Sequence, residues 1–384
     1  MSEELRVEGE VGVGDRPVES LPRGRVRRVP PELRRKRVKI GAEPSAVRRL
    51  VLRLKHDSQS LRSATQLAFA LLCLWIGVEF YLFVRWGMSG GSAPYVSRPP
   101  GAEGFLPISA LISLKHWILT STINTIHPAA LFILLAVILV SVVVKKAFCS
   151  WLCPVGTLSE SLWLLGERLF GRNLDLPRWV DIPLRSVKYL ILLFFLWAVS
   201  GMDASGLGEF IESPYNRMAD VKMFFFFAHI STFALGVLFV LIVLSIVVKN
   251  FWCRYLCPYG ALLGLASFLS PFKITREASS CIDCNLCTKV CPSRIPVHEA
   301  GRVWSDECNS CLRCVEVCPV KDTLLLRSRV SRKEIPHWVF GLLIAGIFVA
   351  VTGMAMLTGH WSNSISSDEY QQRFQQIDSP LYEH

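Results

Sequence analysis

Eight cysteines between residues 281 and 319 constrain this chain more than any other stretch. They stand in CIDCNLCTKVCP and again in CNSCLRCVEVCP, so each half has the spacing C-x2-C-x2-C-x3-C-P. Three thiolates, each separated from the next by two residues, can bind one side of a metal cluster from a short loop. The fourth thiolate must come from a separate segment of the chain. The spacing therefore predicts that both halves fold as one metal-binding unit. Two zinc sites are the alternative, although zinc sites usually have CxxC pairs that are far apart.

This run resembles that of the two-cluster bacterial ferredoxins, in which the fourth cysteine of each half binds the cluster of the other half. The resemblance implies two 4Fe-4S clusters with four cysteine ligands each. The first set of ligands is Cys281, Cys284, Cys287 and Cys318. The second set is Cys308, Cys311, Cys314 and Cys291.

The rest of the chain is apolar. Of its 384 residues, 51% are hydrophobic, and the mean hydropathy is +0.38, which predicts several membrane spans. Apolar runs place five spans near residues 64–84, 128–145, 183–202, 226–248 and 337–358. We expect an all-α integral membrane protein with about five transmembrane helices, an internal repeat and a small α+β ferredoxin domain.

The net charge of +11 has its main source in an arginine-rich N-terminal region. We expect residues 1–62 to form a basic, largely disordered cytoplasmic tail, followed by a membrane domain at 63–272. The ferredoxin domain follows at 273–328, and the last span and a short periplasmic tail at 329–384. Basic residues mark the inner side of a membrane, and docking to anionic lipid or an acidic partner is the alternative. We expect no nucleic-acid partner.

The same charge pattern predicts the orientation of the chain. With the amino terminus inside, the loops rich in Lys and Arg also lie inside. The twelve motif cysteines then face the reducing cytoplasm. We expect a multi-pass protein of a bacterial inner membrane with a cytoplasmic ferredoxin domain.

A second cysteine pattern repeats within the chain. A shift of 104 residues aligns VSVVVKKAFCSWLCPVG (140–156) with LSIVVKNFWCRYLCPYG (244–260). Residues four apart share a helix face, and a two-fold axis between repeats would bring both CxxxCP motifs together. The candidate metal ligands are Cys149, Cys153, Cys253 and Cys257. Copper(I), zinc or an iron–sulfur centre fits four thiolates, and a structural clamp or metal-free redox thiols are the alternatives.

Three ionisable residues are candidates for quinol and proton chemistry. Glu79 lies in the first predicted span, and His127 and His229 stand near the outer ends of the two repeated spans. Quinol oxidation needs a proton acceptor at the membrane edge, and these residue types suit that role. The alternatives are an ion pair between Glu79 and Arg85, interfacial histidines with satisfied hydrogen bonds and histidine ligands to haem.

The segments CSWLCPVGTLSE and CRYLCPYGALLG, followed by the ferredoxin run, resemble the membrane polyferredoxin family of NapH and NosR type, and more distantly the CcoG type. The resemblance covers about residues 60–330. It implies a relay that carries electrons through two 4Fe-4S clusters between the quinol pool and a redox partner, such as an iron–sulfur or cytochrome subunit. The membrane component of a quinol dehydrogenase is one form of such a relay.

Other members of this superfamily leave two alternative functions open. NosR has a periplasmic flavin domain, for which this chain has no room, and CcoG-type proteins have a soluble carboxyl-terminal domain that is longer than the tail here. These differences favour a NapH-like role. The alternatives are a CcoG-like copper-reducing assembly factor and a redox-sensing membrane regulator.

Overall fold

The structure is a computed structural model that describes residues 34–35, 45–328 and 334–382. Most of the tail predicted at 1–62 lies outside these residues. In chain order the first helices are α1 (Ala46–His56), α2 (Ser58–Met88), α3 (Pro107–Thr120), α4 (Pro128–Val144), α5 (Phe148–Trp151), α6 (Pro154–Phe170) and α7 (Arg178–Ser200).

The remaining helices lie on both sides of the ferredoxin unit. They are α8 (Ala204–Glu212), α9 (Pro214–Arg217), α10 (Ala219–Ala228), α11 (Thr232–Val247), α12 (Pro258–Ala266), α13 (Leu286–Lys289), α14 (Arg313–Val317), α15 (His337–Leu357) and α16 (Ser367–Gln375). The strands are β1 (Phe272–Arg276) and β2 (Leu324–Ser328). Shorter turns are 3-10 helices at Pro100–Phe105, Ser267–Leu269 and Pro380–Tyr382 and a π-helix at Trp252–Leu256.

Three helices in the described part of the chain are long and apolar enough to cross a membrane, namely α2, α7 and α15. The pair α10 and α11 passes the same test together, but it is bent by 83°. The count of five spans is therefore not reached. The span predicted at 226–248 is broken where Ser231 caps a new helix by accepting the N–H of Ala234. The span predicted at 128–145 is the 17-residue helix α4, about 25 Å long, and a full span needs roughly 20 residues.

Helix α4 is the central helix of the membrane part. Ten of its 17 residues are buried, and it packs against α3, α12 and α15. The equivalent helix of the repeat, α11, has a single buried residue, Ser245, and packs mainly against α6. The two repeats therefore share their motifs, while only the first contributes its helix to the protein core.

The hydrophobic core is divided between two ends of the molecule. At one end, which we call the cysteine side, Trp151 and Phe340 pack with Leu312 of the ferredoxin unit. At the opposite side, Phe83 of α2 contacts the rings of Tyr370 and Phe374 in α16. The residues after the last span are thus folded onto the end of α2.

The ferredoxin unit is built on one antiparallel strand pair. Strand β1 pairs with β2 so that Phe272 lies opposite Ser328 and Arg276 opposite Leu324. The short helices α13 and α14 lie between the strands in the chain and pack against each other. This small sheet with two helical turns confirms the expected α+β unit in a mainly helical protein.

Candidate metal centres

The eight cysteines of the ferredoxin unit line two cavities. The first cavity is lined by Cys281, Cys284, Cys287 and Cys318. The second is lined by Cys291, Cys308, Cys311 and Cys314. These are the same two sets that the crossing pattern predicted, although cluster binding by them stays a prediction.

The backbone around the two cavities has the same unusual conformation. Asp283 and Asn285 have φ angles of 55° and 58°, and Ser310 and Leu312, at the same motif positions, have 51° and 59°. Left-handed residues between right-handed ones turn successive N–H groups inward, which forms a nest that binds anions and occurs at many Fe–S sites. Both loops therefore fit a 4Fe-4S cluster held by thiolates.

The second cavity lies deeper than the first. Its Cys311 and Cys314 are buried, and burial raises the pKa of Cys291 to about 12. A metal ligand must be a thiolate, so binding at this cavity has to release protons. Among the described residues, those that line the first cavity all belong to the ferredoxin unit, between Arg276 and Leu324.

The CxxxCP motifs are not continuous helices. Cys153 is the N-cap of α6, and Cys257 is the N-cap of α12. The expectation that both cysteines of a motif share one helix face was therefore wrong, because the proline after the second cysteine starts a new helix. The N-cap sulfurs instead accept N–H groups, from Gly156 to Cys153 at 3.4 Å and from Gly260 to Cys257 at 3.3 Å.

The four CxxxCP cysteines nevertheless come together. Burial raises the pKa of Cys253, and the thiolate form of Cys257 raises it further, followed by those of Cys153 and Cys149. Among the described residues, no three His, Cys, Asp or Glu side chains converge as the ligands of a single ion do. Four neighbouring thiols are soft ligands of the kind that copper(I), zinc and iron–sulfur clusters take.

A cavity that is partly open to solvent lies between the two halves of the repeat. The 104-residue offset makes three pairs of its lining residues equivalent: Lys146 and Asn250, Cys149 and Cys253, and Ser150 and Arg254. The ferredoxin unit closes the cavity with residues that include Glu307 and Cys311. Because Cys311 also lines the second ferredoxin cavity, the two cavities are direct neighbours.

Lys146 brings a positive charge into this cavity. Lys146 is only 4% exposed to solvent. Burial by itself would lower the pKa of Lys146, but Glu307 and the thiolate forms of Cys149, Cys257 and Cys253 raise it above its usual value. The lysine is therefore an ammonium ion at neutral pH.

Glu160 of α6 connects the membrane part to the ferredoxin unit. It accepts hydrogen bonds from Arg62 at 2.6 Å and from Gln66 at 2.9 Å, and it forms an ion pair with Arg313. Burial would raise the pKa of Glu160, but hydrogen bonding to Arg62 and the charges of Arg62 and Arg313 lower it to about 2. The carboxylate therefore stays ionised at any physiological pH.

Helix α7 holds the ferredoxin unit through two further contacts. Lys188, which is fully buried, pairs with Glu307, and the Tyr189 hydroxyl donates to Asp306. Glu307 immediately precedes Cys308 in the chain. These contacts fix one cysteine loop against a membrane helix.

The three candidates for quinol chemistry lie apart from one another. His127 is fully buried, where Nε2 lies 2.6 Å from the Asn216 carbonyl oxygen and Nδ1 lies 3.3 Å from an Arg98 nitrogen. His229 is exposed at the bend between α10 and α11 and stacks on Phe225.

Glu79 is half-buried on α2, and in the part of the chain that the structure describes it forms no ion pair with Arg85. The two residues are six positions apart, which places them on different faces of the helix. The suggested pair between them was therefore wrong.

Sequence reasoning missed the buried charges of this site. Arg62 and Lys146 lie next to predicted spans and Glu307 lies in the ferredoxin run, so each looks like an ordinary charge. The partners of Arg62 and Glu307, namely Glu160 and Lys188, are distant in the chain. A signal was present for Lys146, because the repeats differ there: the sequences KKAFC and KNFWC place Lys146 opposite Asn250. A charge that is present in one repeat and absent from the other indicates that the two halves of the cavity differ.

Comparison with known proteins agrees with this geometry. Residues 126–173 and 230–277 each match a family described as a 4Fe-4S binding domain, and residues 273–319 match a 4Fe-4S dicluster domain. The two copies of the first match start 104 residues apart, at 126 and 230, which confirms the internal repeat. No solved structure matches the chain.

Several curated proteins are similar in sequence. YccM of Escherichia coli (strain K12), whose name assigns it to electron transport, is 46% identical over 85% of this chain and 93% of YccM. The ferredoxin-type protein NapH of Haemophilus influenzae is 32% identical over 48% of this chain and 64% of NapH. The regulatory protein NosR of Pseudomonas aeruginosa is 30% identical over 43% of this chain but only 22% of NosR.

These relatives and the cysteine-lined cavities define a multi-pass membrane protein of iron–sulfur electron transport. The chain belongs to the membrane polyferredoxin family of NapH and NosR type.

A glycine pair tests the geometry of the CxxxCP turns. A Cβ atom at Gly156 would lie 2.1 Å from the carbonyl oxygen of Cys149, whereas one at Gly260 would lie 3.4 Å from that of Cys253. We expect Gly156→Ala to lower the unfolding midpoint by overpacking, by about 1–3 kcal/mol in free energy, and Gly260→Ala to leave it nearly unchanged. Thermal unfolding of the purified proteins measures this. Equal midpoints for the two variants would contradict the close approach at Gly156.

A second prediction concerns Glu160. Glu160→Gln leaves Arg62 buried without its counter-charge, and we expect a loss of about 3–5 kcal/mol in unfolding free energy at pH 7. The pKa of Glu160 is depressed, so its stabilisation is complete above about pH 4.5, the ordinary value, and is lost as the pH falls through about 2. The difference between wild type and variant should thus be constant from pH 8 to 5 and shrink below that.

The matched control for this prediction is Glu167→Gln on the same helix. Glu167 pairs with Lys249 at 3.4 Å, and its side chain is 43% exposed, so we expect a change within about 0.5 kcal/mol. Unfolding midpoints at several pH values measure both variants. If Glu160→Gln were as mild as the control, Glu160 would not be a connection on which the fold depends.

Proposed function

We propose that the chain relays electrons in the membrane through two 4Fe-4S clusters and a further iron–sulfur centre, from quinol to a redox partner protein. One observation carries the proposal: Cys311 lines both the cavity that Cys149 and Cys253 line and the second ferredoxin cavity. The centres bound there would be neighbours, and they supply one-electron chemistry. The protein's part is to hold thiolates at fixed positions and to keep water away.

The proposed ligands of the two ferredoxin clusters line their own cavities, whereas of the four CxxxCP cysteines Cys149 and Cys253 line the cavity between the repeats. Cys281, Cys284, Cys287 and Cys318 would hold the first cluster, and Cys291, Cys308, Cys311 and Cys314 the second. The further centre would take Cys149, Cys153, Cys253 and Cys257. Its support is the match of both CxxxCP regions to a 4Fe-4S binding domain, together with the proximity of the other three CxxxCP thiols to Cys253.

The order of the three cavities suggests the path of the electron from the membrane helices to the partner protein. The CxxxCP cavity lies against the membrane helices, the second ferredoxin cavity shares its wall, and the first lies within the ferredoxin unit alone. We propose that the partner, an iron–sulfur or cytochrome subunit, docks at the first cavity.

We propose that the cysteine side faces the cytoplasm of a bacterial inner membrane. The excess of basic residues in the N-terminal region supports this orientation, and a reducing compartment suits thiolate ligands. The division into a basic tail (1–62), a membrane domain (63–272), a ferredoxin domain (273–328) and a last span with a periplasmic end (329–384) belongs to the same proposal.

The length of α4 bears on where quinol reacts. His127 caps one end of this 17-residue helix, and Cys149 follows the other end, so about 25 Å separates them along the axis. Direct electron transfer over that distance is slow. We therefore propose that quinol donates near the cysteine side, that His127 has a structural role, and that Glu79 and His229 are dispensable for electron entry.

Metal analysis tests the further centre. We expect the wild-type protein to show three iron–sulfur signals in a redox-titrated EPR spectrum, and the double variant Cys149→Ser, Cys253→Ser to show two, with a matching loss of iron and acid-labile sulfide. Cys73→Ser, the cysteine outside the motifs, is the control and should keep all three. Unchanged iron in the double variant would remove the CxxxCP cysteines from the ligand set.

Quinol-driven reduction tests the donor. With a reduced quinol analogue and purified protein, we expect bleaching of cluster absorbance in the wild type and none in the double cysteine variant. Glu79→Gln and His229→Gln should reduce the rate less than about twofold, because neither residue lies at the cysteine side. A loss of bleaching in His229→Gln would move the quinol site to the opposite side, and no bleaching in the wild type would exclude quinol as the donor.

A further inference from the structure

The two repeats place different charges at one shared position. Lys146 and Asn250 are equivalent by the 104-residue offset, and both line the cavity between the CxxxCP motifs. The residues before them, Lys145 and Lys249, are identical. The cavity is therefore nearly symmetric in its cysteines but has an ammonium group on one side and a neutral amide on the other.

The ammonium of Lys146 has no protein acceptor. It makes no hydrogen bond or ion pair with any residue that the structure describes, although the residue is 4% exposed. Other buried lysines nearby do have partners: Lys145 donates to the Val303 carbonyl at 2.9 Å, and Lys188 pairs with Glu307. Burying a charge without a partner is costly. Lys146 is therefore placed to pair with an anion bound in the cavity.

The position of this ammonium shows which anion it would meet. A Cβ atom built on Gly260 would lie 3.6 Å from Lys146 Nζ, and the Gly260 N–H donates to the Cys257 sulfur. The ammonium therefore lies at the turn that carries Cys257. Glu307, the acidic neighbour on the ferredoxin side, already has Lys188 as its counter-charge. Besides Glu307, which makes no ion pair with it, Lys146 has the thiolates and a centre bound to them as neighbouring negative charge.

We infer that Lys146 is the counter-cation of the iron–sulfur centre at the CxxxCP cysteines and that it raises the reduction potential of that centre. This inference rests on the proposed function, which places a centre there. A cluster held by four thiolates is anionic, and taking up an electron adds one more negative charge. A fixed cation nearby stabilises the reduced form more than the oxidised form, because net charge is one of the determinants of cluster potential.

The consequence for the relay is that its centres differ in reduction potential, with the CxxxCP centre the easier one to reduce. Potentials of low-potential ferredoxin clusters are too negative for a weak membrane reductant to populate them easily. A cation beside the first centre that receives the electron makes that step more favourable. Lys146 is thus a positioning residue that sets a potential, and it takes no part in binding the metal.

Redox-titrated EPR of the purified full chain tests this inference. We expect Lys146→Met to shift the midpoint of the CxxxCP centre to more negative potential by at least 59 mV, which is tenfold in a one-electron equilibrium constant. The two ferredoxin clusters should shift less. Lys146→Arg, which keeps the charge, should stay near the wild-type value.

A charge swap provides the matched variant. In Lys146→Asn combined with Asn250→Lys, the ammonium moves to the equivalent position across the repeat axis, and we expect the midpoint to return toward the wild-type value. The single variant Lys146→Asn should behave like Lys146→Met. A role of Lys146 in packing alone predicts no such recovery.

The possible results separate the inference from the proposed function. If Lys146→Met keeps its iron and its potential, the inference is overturned while the relay stands. If the wild type contains iron for two clusters only, the further centre and this inference both fail. If Lys146→Met loses the centre, the swap variant decides: recovery of centre and potential supports the inference. Loss of the centre from the swap, with both ferredoxin clusters intact, overturns it and makes Lys146 a folding residue.

Discussion

The carboxylate of Glu160 connects three parts of the molecule through ion pairs and hydrogen bonds. It receives hydrogen bonds from Arg62 on α2 and pairs with Arg313 on the ferredoxin unit, while it stands itself on α6. With Arg62 almost completely buried, such an arrangement is stable only when every charge keeps its partner. These pairs fix the position of the ferredoxin unit on the membrane helices. Glu160 and Arg313 also line the cavity between the repeats.

The same rule applies elsewhere on the cysteine side and at the opposite side. Lys188 and Glu307 join a membrane helix to a cysteine loop. On the opposite side, Arg98 pairs with Asp220 at 2.5 Å and with Glu103 at 2.7 Å, and all three are buried. Electron transfer depends steeply on distance, so the ion pairs on the cysteine side, which hold the ferredoxin unit against the membrane helices, serve the proposed relay.

Much of the candidate site could be predicted from the sequence. Local spacing marks the eight ferredoxin cysteines, and the resemblance to bacterial ferredoxins implies how they divide into two sets. The repeat of the CxxxCP motifs follows from an alignment of the chain with itself. The turn after each second cysteine was predictable in part, since Pro154 and Pro258 mark helix starts. The break near Ser231 also left a signal, because His229, Ser231 and Thr232 interrupt the apolar run there and serine is a favoured N-cap.

The sequence by itself determined that the chain carries two regular cysteine motifs of each kind and that it is a mainly helical membrane protein, because spacing, periodicity and hydropathy are local properties. The tertiary structure alone decided that the CxxxCP cavity shares Cys311 with the second ferredoxin cavity. It also decided which buried charges are paired and that Lys146, near the CxxxCP cysteines, makes no hydrogen bond or ion pair with a described residue. Those outcomes depend on contacts between residues far apart in the chain, where desolvation makes each unpaired charge costly, and no local pattern encodes such partners.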